Sequence, residues 1–478
     1  MTDFFNEMYE PRAGGPDEGG AVRAPYRGLA GWSGEMPEAL TGLRRGEAEA
    51  LFRRIGITFA VYGEGGDPDR LIPFDQFPRV FTGAEWARLE RGIVQRARAL
   101  NAFLSDVYGR GEIVRAGRIP GYLVQINEAY EIRMAGFTPP QGVYSHIVGI
   151  DIVRTGPDQF YVLEDNCRTP SGVSYMLQNR EIMMRMHPQL FADHRVRPVE
   201  GYPMALKRTL ASVAPPMCEG TPTVAVLTPG HFNSAYYEHS FLADQMGVEL
   251  VEAADLIVDG AHVFMRTTQG RQRVDVIYRR IDDAFIDPLA FRPDSMLGVP
   301  GLFNAYRAGG VTICSAPGAG VADDKAIYTY VPEMVRFYLG EEPILRNVPT
   351  WRCGEPEALA HVLDHLPELV VKEVHGSGGY GMLVGPAATK DEIERFRAIL
   401  IERGGDYIAQ PTLALSACPT FVEAGIAPRH VDLRPYCLCG ERIELVPGGL
   451  TRVALKEGSL VVNSSQGGGV KDTWVLAD

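Results

Sequence analysis

Nowhere in the 478 residues is there an apolar run of about 18, the length needed to span a bilayer, so no membrane span is expected. The first twenty residues are acidic and glycine-rich and lack the basic-then-apolar order of a signal peptide, which makes a cytoplasmic location the expectation. Cysteine is sparse. The seven cysteines are scattered, odd in number and without a CxxC pair, which argues against both a disulfide framework and a zinc ribbon. Lysine occurs only six times, and no Lys/Arg-rich block offsets a net charge of −13, so a sequence-independent nucleic-acid footprint is not expected. No Gly-Lys dipeptide occurs, and without one there is no Walker A loop. What remains is an ordinary globular composition, 45% hydrophobic and 22% charged, in a chain long enough for two or three packed domains. Small-molecule substrates suit it better than nucleic acid or membrane, and nothing in the sequence specifies an oligomeric state.

Residues 1 to about 37, rich in Gly, Pro and charge, read as an arm that orders only on docking and adds little to a core. Over 84–108, Trp86, Leu89, Ile93, Ala97, Leu100, Phe103 and Leu104 recur at helical spacing, with Thr82 placed to cap the helix and Gly109 to stop it. From His146 the pattern turns to β. Residues 147–153 and 160–163 flank Gly156-Pro157-Asp158 as a hairpin. Residues 196–310 alternate strands (224–227, 249–252, 262–266, 274–278) with a helix near 239–246, an α/β unit of domain size. A helix over 325–339 that Pro332 kinks, a hairpin carrying Lys372, a helix over 390–403 and a β-rich tail follow.

Three constellations carry chemistry. Gly376-Ser377-Gly378-Gly379-Tyr380-Gly381 satisfies GxGxxG, yet an apolar strand-like segment follows it where a dinucleotide turn needs a helix, so it reads as a glycine hairpin whose N–H groups fold over phosphates. Lys372, on the strand entering that loop, would bring its charge to the phosphates. Read alone, the loop also fits a solvent hairpin. Asp151, Glu164 and Asn166 form a second set. Glu164 and Asn166, two apart on a strand, share a face on which Asp151 of the neighbouring strand can converge, while Asp165 points away. Such hard oxygen ligands suit Mg²⁺, and they equally fit a hydrogen-bonded turn. Third, Arg434 and Arg452 lie in a β run where guanidinium forks can meet phosphate or carboxylate oxygens; either one alone fits a surface salt bridge better, and only their conjunction has weight. The 407–411 stretch is an apolar strand ending in a polar break, where the Gln410 amide can reach an adenine; read alone, it fits a plain buried strand at least as well.

In most ligases with such a flap and such a Glu-x-Asn motif the flap comes first in the chain; here the order is reversed, which points to circular permutation. With Leu163-Glu164-Asp165-Asn166-Cys167-Arg168-Thr169-Pro170-Ser171-Gly172, Tyr278-Arg279-Arg280-Ile281-Asp282-Asp283, Asp323-Asp324-Lys325 and Asn463-Ser464-Ser465-Gln466-Gly467-Gly468-Gly469, nearly the whole chain resembles the circularly permuted ATP-grasp family, similar also to the synthetase domain of glutathionylspermidine synthetase. The resemblance implies an α/β (α+β) ATP-grasp fold with an additional pre-ATP-grasp-like α/β domain. Its parts would be a lead-in (1–60), a permuted portion with the metal motif (61–195), the α/β domain (196–310) and the nucleotide-binding portion with the flap (311–478). It implies ATP and Mg²⁺ as cofactors. Lys325 and Lys372 would be the nucleotide lysines, Ser377, Gly378 and Gly379 the flap, Gln410 the hinge beside adenine, and Asp151, Glu164 and Asn166 the metal ligands. Arg434 and Arg452 would lie near the transferred phosphate. The activity expected is carboxylate–amine ligation through an acyl phosphate, on small and in some cases peptide-like substrates. A phosphotransferase, or a nucleotide-binding partner protein without turnover, stays open.

Overall fold

Thr82 accepts a hydrogen bond from the Glu85 N–H and the Glu85 carboxylate reaches back to Thr82 N, a capping box that satisfies donors the helix would otherwise leave orphaned. From it runs the 25-residue helix Gly83–Val107, and all seven apolar residues named above lie fully buried along it. The computed structural model describes residues 4–11, 20–35, 38–55, 58–59, 70–231, 233–376, 381–423, 425–460, 462 and 467–477.

The helix packs on a ten-stranded mixed sheet whose main path runs Arg346–Asn347, Gln159–Asn166, Ile147–Gly156, Gly425–Arg434, Leu450–Val453, Gly469–Val475 and Phe74–Phe81. Ile147–Gly156 and Gln159–Asn166 form the expected hairpin, here called the acidic hairpin, with Asp151 opposite Glu164 and a register shift just beyond. Near the two ends of the sequence, Phe74–Phe81 and Gly469–Val475 lie side by side in parallel. A second, four-stranded antiparallel sheet has the order Trp351–Arg352, Tyr407–Pro411, Leu369–Glu373, Leu383–Val384. Leu369 and Val371 pack beneath it with Val362, Phe396 and Leu400 of two helices. Because side chains alternate along a strand, Val370 and Lys372 are left for the opposite face.

The α/β unit is built on a four-stranded all-parallel sheet ordered Thr312–Cys314, Val276–Arg279, Val224–Leu227, Glu249–Val251. Its strand Thr312–Cys314 lies beyond position 310. The expected strand over 274–278 is two strands. Gly270–Val274 closes a hairpin with His262–Thr267, and Val276–Arg279 enters the parallel sheet. Asp275, between them, accepts a hydrogen bond from Thr223 N at 2.9 Å and so marks the change of sheet. Periodicity could not show that break, because the apolar alternation runs straight through it.

Two further expectations are corrected. The helix over 325–339 is three pieces, Lys325–Tyr328, Val331–Met334 and a π-helical turn Val335–Leu339; Pro332, which lacks an N–H, sits in the first turn of the middle piece and starts a helix instead of kinking one. The described part of the N-terminal segment belongs to the core. Glu7, Tyr26 and Leu29 are fully buried, and the Glu7 carboxylate meets Arg79 at 2.6 Å and Arg154 at 3.7 Å. Composition averaged over the segment concealed one carboxylate whose partners lie on distant strands.

Candidate functional site

Along the acidic hairpin, alternation turns Asp165 to one face, where Arg96 donates to both its oxygens at 2.6 Å. Glu164 and Asn166 face the other way, as expected, and both line an open basin; Asp151 and Glu164 also line the neighbouring cavity. The face on which they converge carries the two arginines. Arg434 grips Asp151 through both Nε and Nη2 and lies 3.6 Å from Glu164. Arg452 donates to Asp151 at 2.6 Å and to Asp432, its cross-strand neighbour, at 2.5–3.0 Å.

The charges tune one another. Burial alone would raise the Asp151 carboxyl, but Arg434 and Arg452 outweigh it and hold Asp151 well below the usual carboxylate range. Burial and then the neighbouring Asp151 push Glu164 up, with Lys325, Lys372 and Arg434 opposing. Burial lowers Lys372; Glu164 works against that fall, and Lys325 adds to it.

Lys325 opens a short helix because Asp324 caps it, its carboxylate accepting from Ala326 N and Ile327 N at 2.8 and 2.9 Å. The Lys325 ammonium donates to the carbonyl of Gly376, the residue that opens the glycine-rich string. Lys372 donates to Gln410 Oε1 at 2.9 Å. Two cavities meet here. One, about 150 Å³, is walled by apolar side chains such as Val348, Val370, Val384 and Leu413, with Lys372 and Gln410 among them. The other, about 700 Å³, opens toward the α/β unit. Glu164, Lys325, Gly376 and Arg452 line both, so the early acidic hairpin and the late lysine strand share one cleft. Ser377, Gly378 and Gly379 lie outside the described residues, as do 463–466 of the late Asn-Ser-Ser-Gln string.

Among the described residues no group of three or more His, Cys, Asp or Glu is spaced to hold a metal. The donor set nonetheless fits Mg²⁺, which takes one or two carboxylates and fills its shell with water and phosphate oxygens. Glu164 and Asn166 are the oxygen donors turned to the basin, while Asp151 is committed to two guanidinium groups.

Two carboxyls here were not among the residues expected at the site. Asp323, one residue before the helix cap, accepts from the Cys167 N–H and lies 3.6 Å from Arg168; burial pushes it up to about 7 despite that arginine. Glu131 is raised to about 7, by burial first and by Asp283 second. Both line the larger basin. For Asp323 the Asp-Asp-Lys string was a partial signal; Glu131 lies in an unmarked turn.

The sequence pattern of the circularly permuted ATP-grasp type 2 family matches residues 78–454. An uncharacterized protein of Synechocystis sp. is 52% identical over 476 residues, covering 99% of this chain and 97% of that one. A Frankia casuarinae protein provisionally named glutamate–cysteine ligase 2-2 is 42% identical over 98% of this chain, but the match takes in only 54% of the Frankia protein. Among solved structures, a glutathione synthetase-like effector from Globodera pallida, in its apo form, superposes with a TM-score of 0.60 at 11% identity, covering 92% of this chain and 98% of the effector; at that identity the likeness is one of fold.

Proposed function

The chain belongs to the circularly permuted ATP-grasp type 2 family, and from that premise we propose that it is an ATP- and Mg²⁺-dependent carboxylate–amine ligase working through an acyl phosphate. What supports the reading above all is the shared cleft. Glu164 of the acidic hairpin and Lys372 of the late strand wall one apolar-sided cavity, of a kind that takes a purine, and through Lys325 and Arg452 it adjoins a larger basin in which the other reactants would bind.

A carboxylate is a poor electrophile because oxide is a poor leaving group; a phosphoryl group converts that oxygen into one that departs as phosphate. Lys325 and Lys372 would neutralise the polyphosphate and hold it in line with the acceptor carboxylate, since positioning and charge are most of what a phosphoryl transfer asks of a protein. Glu164 and Asn166 would hold Mg²⁺, with Asp151 able to join by giving up a guanidinium; the ion would supply charge neutralisation on the phosphate oxygens. Arg434 and Arg452 would orient the acceptor carboxylate and stabilise the oxyanion formed on amine attack. Asp323 and Glu131, poised near neutral pH, are suited to take the proton the attacking amine must lose. The Frankia relative's name is not transferred to this chain, since nearly half of that protein lies outside the match.

The test is ADP release from Mg²⁺ and ATP, screened against paired carboxylates and amines, with mass spectrometry of the products. Release that requires both reactants and yields an amide supports ligation. ADP with a stable phosphorylated product and no need of an amine would make the protein a phosphotransferase, and ATP binding without stimulated hydrolysis would make it a nucleotide-binding partner.

A further inference from the structure

Gln410 is 2% exposed, and its amide is engaged on both sides. Its Oε1 accepts from Lys372 Nζ at 2.9 Å, and its Nε2 donates to Thr350 Oγ1 at 3.1 Å. The polarity of this relay follows from chemistry. An ammonium can only donate, so the amide oxygen must face Lys372 and the nitrogen must face Thr350. The Thr350 hydroxyl spends its own hydrogen on the Val348 carbonyl at 2.8 Å, which leaves its oxygen free to accept from the amide.

The relay is built into two sheets. Val370 lies opposite Gln410 across the paired strands, which makes Lys372 its diagonal neighbour on the same face. Thr350 directly precedes Trp351–Arg352, the strand paired to the other side of Tyr407–Pro411. Upstream, Arg346–Asn347 runs parallel to Tyr161–Val162 of the acidic hairpin, and Val348 N donates to Val162 O at 3.0 Å, two residues before Glu164. Hydrogen bonds joined through the Val348 backbone therefore lead from the strand that carries Glu164 to the ammonium of Lys372.

We infer that Gln410 and Thr350 are positioning residues for Lys372: they hold its ammonium in register with the acidic hairpin and set the protein's affinity for the phosphates of a nucleotide, leaving the base to be read by other groups. Lysine has four side-chain rotors, and a fixed acceptor at its tip spares the nucleotide much of the cost of ordering it. The inference rests on the nucleotide site proposed above and differs from the expectation that Gln410 contacts adenine.

Binding of MgATP, ADP and adenosine to the full chain, measured by calorimetry, tests it. Gln410→Ala should weaken ATP and ADP by about tenfold, the scale of losing a hydrogen bond to a charged group, and Thr350→Ala by about three- to fivefold, the scale of losing a neutral one, while adenosine binds as to the wild type. Thr350→Ser keeps the hydroxyl and should bind ATP as the wild type does. Unchanged adenosine affinity also shows that a variant has kept its fold. An equal loss for adenosine and ATP in Gln410→Ala would mean that Gln410 reads the base and would overturn the inference, as would undiminished ATP affinity in Thr350→Ala. A wild-type protein that binds none of the three ligands would instead defeat the nucleotide site itself.

Discussion

Lys372 and Lys325 face a carboxylate across an open cleft, an arrangement that serves a polyphosphate better than it serves the fold. Lys372→Ala should therefore lower ligation turnover by roughly 10²–10³-fold, the usual cost of removing one preorganised charge from a transition state. Its urea midpoint should move little, and wild-type turnover would refute the role. A second residue-scale expectation concerns pH. A carboxyl acts as a base only when deprotonated, and Asp323 and Glu131 are both raised to about 7, so the rate should climb as pH rises through about 7 and fall below it. Asp323→Asn should flatten that limb, and a pH–rate profile identical to the wild type's would exclude Asp323. Lys372, Glu164 and Arg434 were legible in the sequence because their spacing on strands dictates which face they share. The raised carboxyls of Asp323 and Glu131 were not, because burial and the company of Arg168 or Asp283 are set by segments distant in sequence.

At the scale of elements, the helix Gly83–Val107 and the acidic hairpin were readable because each is decided locally, the one by a 3.6-residue apolar period and a capping box, the other by strand alternation around a Gly-Pro-Asp turn. The capping box makes a direct prediction: Thr82→Ala should cost about 1 kcal/mol of stability, as N-cap losses do, seen as a lower denaturant midpoint with an unchanged slope. Its effect on nucleotide affinity should be negligible, since the cap lies outside both cavities. Where neighbouring segments belong to different sheets, as on either side of Asp275, periodicity continues unbroken and only hydrogen-bond partners reveal the change.

At the scale of the whole molecule, Glu7 ties the N-terminal segment to the central sheet through Arg79 of Phe74–Phe81, Arg154 of the acidic hairpin and Ser416. Burial opposes its charge, but Arg79 and Arg154 prevail and lower its carboxyl from about 4.5 to about 2. A folded-state value below the unfolded one stabilises the protein fully above about pH 4.5, and that contribution disappears as pH falls through about 2. By linkage it amounts to about 3 kcal/mol. Glu7→Gln should destabilise the protein at pH 7 by about 3–5 kcal/mol, because it leaves Arg79 buried without its counter-charge. The gap between variant and wild type in urea should narrow steadily between pH 4.5 and 2, and a gap constant with pH would show that the ion pair is not its source.

The sequence alone determined the family, the placing of the acidic motif before the glycine-rich string, and the residue types at the cleft, since these depend on local spacing and on side-chain chemistry carried by the chain itself. Only the tertiary structure decided that Phe74–Phe81 lies beside Gly469–Val475, that Asp151 is held by two arginines, that Gln410 holds Lys372, and that an acidic N-terminal segment has a carboxylate in the core. Those outcomes depend on which distant segments come within a few ångströms, and on the desolvation and Coulomb energies that arise only once they have done so.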